Sequence, residues 1–377
     1  MRKISIYLHF PFCIRKCNYC DFVSYPCLGS VEDFFEVYIR EIELYSRFVG
    51  RRKVSSIYFG GGTPSLMRAE WIEKIIQKIY ALFDVESDCE ITLEVNPKTV
   101  DEKKIKDFFI AGINRLSLGI QSFDDEELKF LGRVHSAKDA LDTLDFARKY
   151  FDNISCDFIY ALPFQTLEKW QKNLDNIISL GLNHLSLYQL IVEVKTPLYK
   201  WVKDGTVLPI DEKIALSMFE YTNKILKNII PQYEISNYAR KGFESRHNLN
   251  YWNGGDYLGI GVSASGRIFD GKKFFISENP INLDAWIKNV SRETLSVKPL
   301  RKSARARELL IMGLRKNSGI KFSEFNKNSL ISFDEIVDME KVLNLVKQKF
   351  LILSKSGIRL SVRGRNLLDA ILREIIK

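Results

Sequence analysis

Before residue 191, an apolar strand-like run is followed by an amphipathic stretch again and again. The strand-like runs are Ile4–Phe10, Val54–Phe59, Ile91–Val95, Arg115–Gln121, Ile154–Leu162 and His184–Leu190. Helical patterns separate them. The first opens at the capping-box pattern of Ser30 and Asp33 and runs to about Phe48; Ala69–Phe83 follows, then a helix capped by Thr99 and Glu102. Asp124–Leu131, Ser136–Tyr150 and Leu167–Leu180 complete the set. Repeated β–α steps predict a parallel sheet with right-handed crossovers and helices outside. Six steps rather than eight predict an α/β fold with a partial (β/α)6 barrel. In such barrels chemistry sits at the carboxyl ends of the strands.

The strand ends carry polar residues that are costly to bury unpaired. Glu94 lies near the end of the third run, Gln121 ends the fourth, Asp157 lies in the fifth, and Tyr188 and Gln189 end the sixth. A loop containing Cys13, Cys17 and Cys20 follows the first run, and Gly60-Gly61-Gly62-Thr63-Pro64 follows the second. The spacing CxxxCxxC delivers three thiolates from one loop. A [4Fe–4S] cube has four irons and usually takes four cysteines. Three cysteines leave one iron open to a ligand, much as catalytic zinc sites keep a position open. A closed zinc site is the alternative, with Cys27 or His9 as the fourth ligand. Disulfides are not expected, because the chain opens Met-Arg-Lys and then alternates like a strand, with no secretory pattern. Six cysteines without such a pattern suit a reducing cytoplasm. Cys89 and Cys156 lie in apolar runs and read as inert core residues.

The chain of 377 residues suits a barrel plus a small domain. Apolar residues make up 46%, enough for a large core, and no apolar stretch is long enough for a membrane helix. The net charge is +9, yet 292–377 carries 19 Lys and Arg against 9 Asp and Glu, so the rest of the chain is nearly neutral. From Ser303 the order is a helix near Ala304–Leu314, a helix near Asp334–Lys347, a possible hairpin (Phe350–Leu353 and Gly357–Ser361) and a helix Gly364–Ile376, which reads as a basic winged-helix-like α+β module. The division expected is 1–295 for the barrel with its extension and 296–377 for the module. No helix in the module presents a clear base-reading set, so nucleic acid is not expected.

CxxxCxxC with Tyr19 before its third cysteine resembles the radical S-adenosylmethionine (SAM) superfamily. The resemblance implies a [4Fe–4S] cluster on Cys13, Cys17 and Cys20, with SAM chelating the open iron. It implies SAM contacts at Gly61, Gly62, Thr63, Glu94, Gln121, Arg133 and Asp157, with Tyr19 beside the cluster and Tyr7 toward the substrate side. Tyr7-Leu-His-Phe-Pro-Phe-Cys13, Gly60–Pro64 and Gly119–Phe123 resemble oxygen-independent coproporphyrinogen III dehydrogenase and its relatives. The dehydrogenase has a further cysteine where this chain has Phe22, and a longer segment before its cysteine loop. The chain is more similar to HemW-type heme chaperones, in Cys20-Asp21-Phe22 and in the motif HNxxYW, present as His247-Asn248-Leu249-Asn250-Tyr251-Trp252. That branch implies heme as a third cofactor, held in a region of about 230–275 through His247, Asn248, Tyr251 and Trp252. It implies heme-acceptor proteins as partners, and a peripheral membrane contact through the basic module and a homodimer are consistent with it. The second reading is the dehydrogenase itself, and the third is another radical SAM enzyme or a winged-helix regulator with a sensing cluster.

Overall fold

The computed structural model describes residues 2–26 and 34–377. Cys27 and the expected cap at Ser30 and Asp33 lie outside the described residues. The six expected strands form as β1 Ile4–Phe10, β2 Lys53–Gly61, β3 Asp84–Val95, β4 Arg115–Gln121, β5 Ile154–Tyr160 and β6 His184–Gln189. They pair in chain order, all parallel. Beyond β6 lies β7, Asn237–Ala239, antiparallel. On the other side β1 pairs in parallel with β8, Asp256–Ile260. The antiparallel strands β9 Ser265–Phe269, β10 Phe274–Glu278 and β11 Val297–Leu300 extend that edge. The result is one open sheet whose two ends are β11 and β7; no ladder among the described residues closes it.

Residues 254–266, which include five glycines, thus supply a seventh parallel strand and the start of an antiparallel extension. Glu41, on the helix Phe35–Val49, holds that extension to the barrel. Its buried carboxylate accepts from Gly261 N–H (2.8 Å), Asn279 Nδ2 (2.6 Å) and Trp286 Nε1 (2.9 Å).

Strand alternation divides the side chains into two sets. Ile4, Ile6, Leu8 and Phe10, with Ile57, Phe59, Leu116, Leu118, Cys156, Phe158, Leu185 and Leu187, are buried in the main apolar core. The opposite face, turned into the hollow of the sheet, is polar from bottom to top. Its layers follow the register: Ser5, Ser56, Glu90, then Tyr7, Tyr58, Thr92, Arg115, then Glu94, Ser117, Ser155, His184, then Gly119, Asp157, Ser186. Barrels of this kind usually fill their lumen with Val, Ile and Leu. A lumen lined with hydroxyls, carboxylates and a guanidinium is suited to a polar ligand.

The C-terminal segment forms its own core from Ala306 to Ile375. Helix Lys302–Arg315 leads to strand Ile320–Lys321, helix Phe322–Ser329 and helix Met339–Lys347, then the hairpin Leu351–Leu353 and Gly357–Leu360, then helix Leu368–Ile375. Strand, hairpin and helices follow a winged-helix order. The strand Ile320–Lys321 and the helix Phe322–Ser329 have no counterpart in the sequence reading, and the helix expected over 334–347 is broken at Val337. Val337 leaves the helical region because it bridges to Ile376, tying the chain end to the module.

Candidate metal centre and cofactor cavity

The carboxyl ends of β1 to β6 surround a cavity of about 420 Å³. Cys13, Cys17, Cys20, Tyr19, Gly61, Gly62, Thr63, Glu94, Gln121, Arg133 and Asp157 all line it. Eleven of the twelve residues expected at the cluster and SAM sites therefore share one wall. Tyr7 lies one layer below and does not reach the cavity; its hydroxyl meets His9 Nδ1 at 3.1 Å.

The cysteine loop is held from both sides. Asn18 N–H donates to Leu131 O (3.0 Å) and its Nδ2 to Phe130 O (2.8 Å), while Leu198 N–H donates to Asn18 O (2.9 Å). Gly132, a left-handed helix cap at φ +77°, leaves room for Asn18, since a Cβ there would stand 2.9 Å from its side chain. His9 Nε2 donates to Val23 O (2.9 Å), which fixes the far end of the loop to β1. Thr63 Oγ1 lies 3.4 Å from Cys13 Sγ, and Arg133 Nη1 lies 3.4 Å from Cys17 Sγ. A hydroxyl and a guanidinium beside two sulfurs suit thiolate character. Without a metal, burial pushes the Cys13 thiol up and the Cys20 thiol up to about 11.

Gly61 and Gly62 line the cavity, and their missing Cβ atoms also make room for neighbouring parts of the chain. A Cβ on Gly61 (φ +111°) would stand 2.6 Å from His9 Nδ1, and one on Gly62 would stand 2.8 Å from Phe12 O. The space they free is filled by β1 and the start of the cysteine loop. Gly61 N–H also donates to Glu94 Oε2 (3.0 Å), and Tyr58 OH donates to Glu94 Oε1 (2.9 Å). Burial raises the Glu94 carboxyl to about 7 against those two bonds. Burial likewise raises Asp157, whose Oδ2 accepts from Ser117 Oγ (3.0 Å) and Oδ1 from Ser155 Oγ (3.3 Å). Gln121 ends β4 at φ +70°, a conformation a side chain adopts at a cost and one that concentrates at functional sites.

Sequence reasoning missed Tyr58, Ser117 and Arg115. Tyr58 lies inside β2 and Arg115 opens β4, both below the motifs at the carboxyl ends of the strands. Only the alternation of polar with apolar positions along each strand marks them.

The residues expected at a heme lie elsewhere. His247 is 1% exposed and sits in the hollow below the cavity, on the helix Arg246–Trp252. Glu90 receives both N–H groups that open this helix, from His247 and Arg246, each at 3.0 Å. His247 Nδ1 meets Ser56 Oγ (2.9 Å) and Nε2 meets Tyr251 OH (2.7 Å), with its ring stacked on Tyr58 at 4.9 Å. Ser56 donates to Ser5, so His247 donates from Nδ1, and the Nε2 lone pair is taken by Tyr251. Burial and the nearby Arg115 push the imidazole down to about 3, so it is neutral. Asn248 N–H donates to the Ser245 cap (3.3 Å). Trp252 turns the other way, under Arg315 of the C-terminal module at 4.7 Å. The motif thus joins barrel and module.

Whether these groups fit a cluster and SAM is tested by the polar atoms they leave unmatched. Ser24 Oγ, Asn96 Oδ1 and Arg133 Nε are buried without a hydrogen-bond partner, and all three residues line the cavity. Buried polar atoms are seldom left so, and a ligand with amino, carboxylate and ribose groups would satisfy them. Among the described residues no three His, Cys, Asp or Glu side chains converge on a single ion. A cube does not need that convergence, because each thiolate binds its own iron.

Comparison with known proteins shows the family. Residues 7–177 match the Radical SAM superfamily, and residues 300–367 match the HemN C-terminal domain. The chain is 35% identical to radical S-adenosyl methionine domain-containing protein 1, mitochondrial, of Bos taurus, over all of this chain and 88% of the relative. It is 34% identical to heme chaperone HemW of Lactococcus lactis, over 96% of this chain and 94% of the relative. A solved structure of coproporphyrinogen III oxidase (HemN) from Escherichia coli superposes with a TM-score of 0.82 at 23% identity, over 99% of this chain and 89% of that one, which shows a shared fold. The chain belongs to the radical SAM superfamily, in the family that includes the heme chaperone HemW proteins and mitochondrial radical SAM domain-containing protein 1.

Proposed function

We propose that this protein is a heme-binding chaperone. It carries a [4Fe–4S] cluster on Cys13, Cys17 and Cys20, binds SAM in the adjoining cavity, and passes heme to acceptor proteins such as membrane respiratory proteins. The observation that carries the reading is the match to a heme chaperone HemW over 96% of the chain. Phe22, 57% exposed at the cavity lip, adds support, because it stands where the dehydrogenase has a further cysteine. In this reading Glu94, Gln121, Arg133 and Asp157 bind SAM, with Gly61, Gly62 and Thr63 along its methionine part. Arg133 is suited to the SAM carboxylate, and Asp157 to a ribose hydroxyl. SAM bound to a reduced cluster of this family supplies radical chemistry; the residues of this chain supply its position and a water-poor cavity.

We take heme to bind at the cavity mouth and not through His247. Phe22 and Ile191 line the cavity and expose apolar surface, Ile14 and Val194 are exposed next in sequence to the lining residues Cys13 and Glu193, and Arg15 and Lys16 of the same lining are suited to propionates. The heme-chaperone reading is tested by anaerobic turnover with reconstituted cluster, SAM, reductant and coproporphyrinogen III. No product from a cluster-loaded protein that shifts the hemin Soret band supports the chaperone. Protoporphyrin over many turnovers would instead make this protein the dehydrogenase.

A further inference from the structure

The surplus charge of this protein is concentrated in one part of the C-terminal module. Between Glu340 and Asp369 there is no acidic residue, while Lys341, Lys347, Lys349, Lys355, Arg359, Arg363 and Arg365 lie in that window. None of the seven pairs with a carboxylate among the described residues. Arg365 turns inward to Gln232 Oε1 (2.7 Å), and the other six are exposed.

The hairpin puts part of this charge on one face. Leu351 pairs with Leu360 and Ile352 with Arg359. Leu351, Ile358 and Leu360 point into the module core. The outward face of the hairpin therefore carries Ile352 beside Arg359, while Phe350, just before the strand, packs partly against the core. Arg363 lies over the Phe350 ring at 4.8 Å, and Val362 precedes it. Ile352 is 40% exposed and Val362 75%. Two exposed aliphatic side chains, Ile352 on the hairpin and Val362 next to Arg363, therefore lie among cations that no carboxylate compensates.

We propose that this hairpin face docks on the surface of an anionic phospholipid bilayer, with Lys349, Lys355, Arg359 and Arg363 against the headgroups and Val362 and Ile352 in the interfacial layer. Charge complementarity fits any polyanion, but the protruding aliphatics favour the bilayer. A nucleic acid backbone has no use for Val362, whereas buried apolar area and anionic attraction together set the strength of interfacial binding. The inference suits delivery to membrane acceptors yet rests on no heme or cluster chemistry.

The test is sedimentation of the full chain with vesicles of phosphatidylcholine alone or mixed with phosphatidylglycerol. Binding should require phosphatidylglycerol and fade with added salt, because the Debye length is only about 10 Å at 0.1 M. Each cation at the surface should contribute about fivefold, so Lys355→Gln, Arg359→Gln and Arg363→Gln together should weaken binding about a hundredfold. Val362→Asp should weaken it about tenfold or more. These side chains are exposed, so a matching thermal midpoint checks the fold. Lys200→Gln, Lys203→Gln and Lys227→Gln remove as much charge from other exposed sites and should cost much less. Equal loss in that control would overturn the assignment to the hairpin. Equal binding to both vesicle types would overturn the proposal, as would tighter, Val362-independent binding to a short DNA duplex. Hemin titration of the same variants should be unchanged, which separates this docking from the heme reading.

Discussion

His247→Ala separates a heme ligand from a structural anchor. In the folded chain the imidazole joins Ser56 Oγ at 2.9 Å and Tyr251 OH at 2.7 Å, and it stacks on Tyr58. Removing it leaves Ser56 with Ser5 as a partner. Tyr251 loses its partner, and an orphaned buried hydroxyl costs about 1–3 kcal/mol. The vacated ring leaves a cavity among Tyr7, Tyr58 and Tyr251, and comparable large-to-small changes cost about 2–5 kcal/mol. The lumen is polar, so a water can enter and offset part of this, leaving about 3–4 kcal/mol. Urea unfolding followed by circular dichroism should show the midpoint lowered by about 1 M. The hemin Soret titration should move by less than about threefold, or about 0.7 kcal/mol. An unchanged midpoint with lost hemin binding would refute this reasoning and restore His247 as a ligand.

Glu94 should make cofactor affinity depend on pH. Its folded carboxyl titrates at about 7, above the ordinary value, so at mildly acid pH the native chain holds it neutral. The charge that meets a cationic sulfonium appears only as pH rises through that value. SAM affinity by equilibrium dialysis should therefore rise about tenfold from about pH 6 to about pH 8, and Glu94→Gln should flatten the profile. Arg115 is 2% exposed, its Nε lacks a partner, and its charge favours the ionised forms of Glu94 and Asp157. Arg115→Met should lower SAM affinity at neutral pH, because without that charge Glu94 and Asp157 hold their protons to higher pH; unchanged affinity by equilibrium dialysis would contradict this. Gly61→Ala forces a Cβ to 2.6 Å from His9 Nδ1 at φ +111°, so iron bound per chain after reconstitution should drop well below wild type.

The sequence by itself determined the six parallel strands and their order, because each strand–helix step is a local pattern and right-handed crossovers leave few topologies. It also determined that the cysteines, the glycine run and the polar strand ends lie at one end of the sheet, since they follow or end consecutive parallel strands. Glu94, Gln121 and Asp157 were legible in that way, whereas Arg133, just past the helix Asp125–Leu131, was legible only through the family resemblance. Tertiary structure alone decided how deep each residue sits. Whether an imidazole faces a cavity or the bottom of a lumen depends on a contact such as Glu90 with the helix Arg246–Trp252, more than 150 residues away in sequence. The use of Gly61 was hidden for the same reason, because what fills the space beside a missing Cβ is another strand. The basic hairpin face lies between these cases. Its charge was plain in the composition, and the pairing of Ile352 with Arg359 put it on one side of the module.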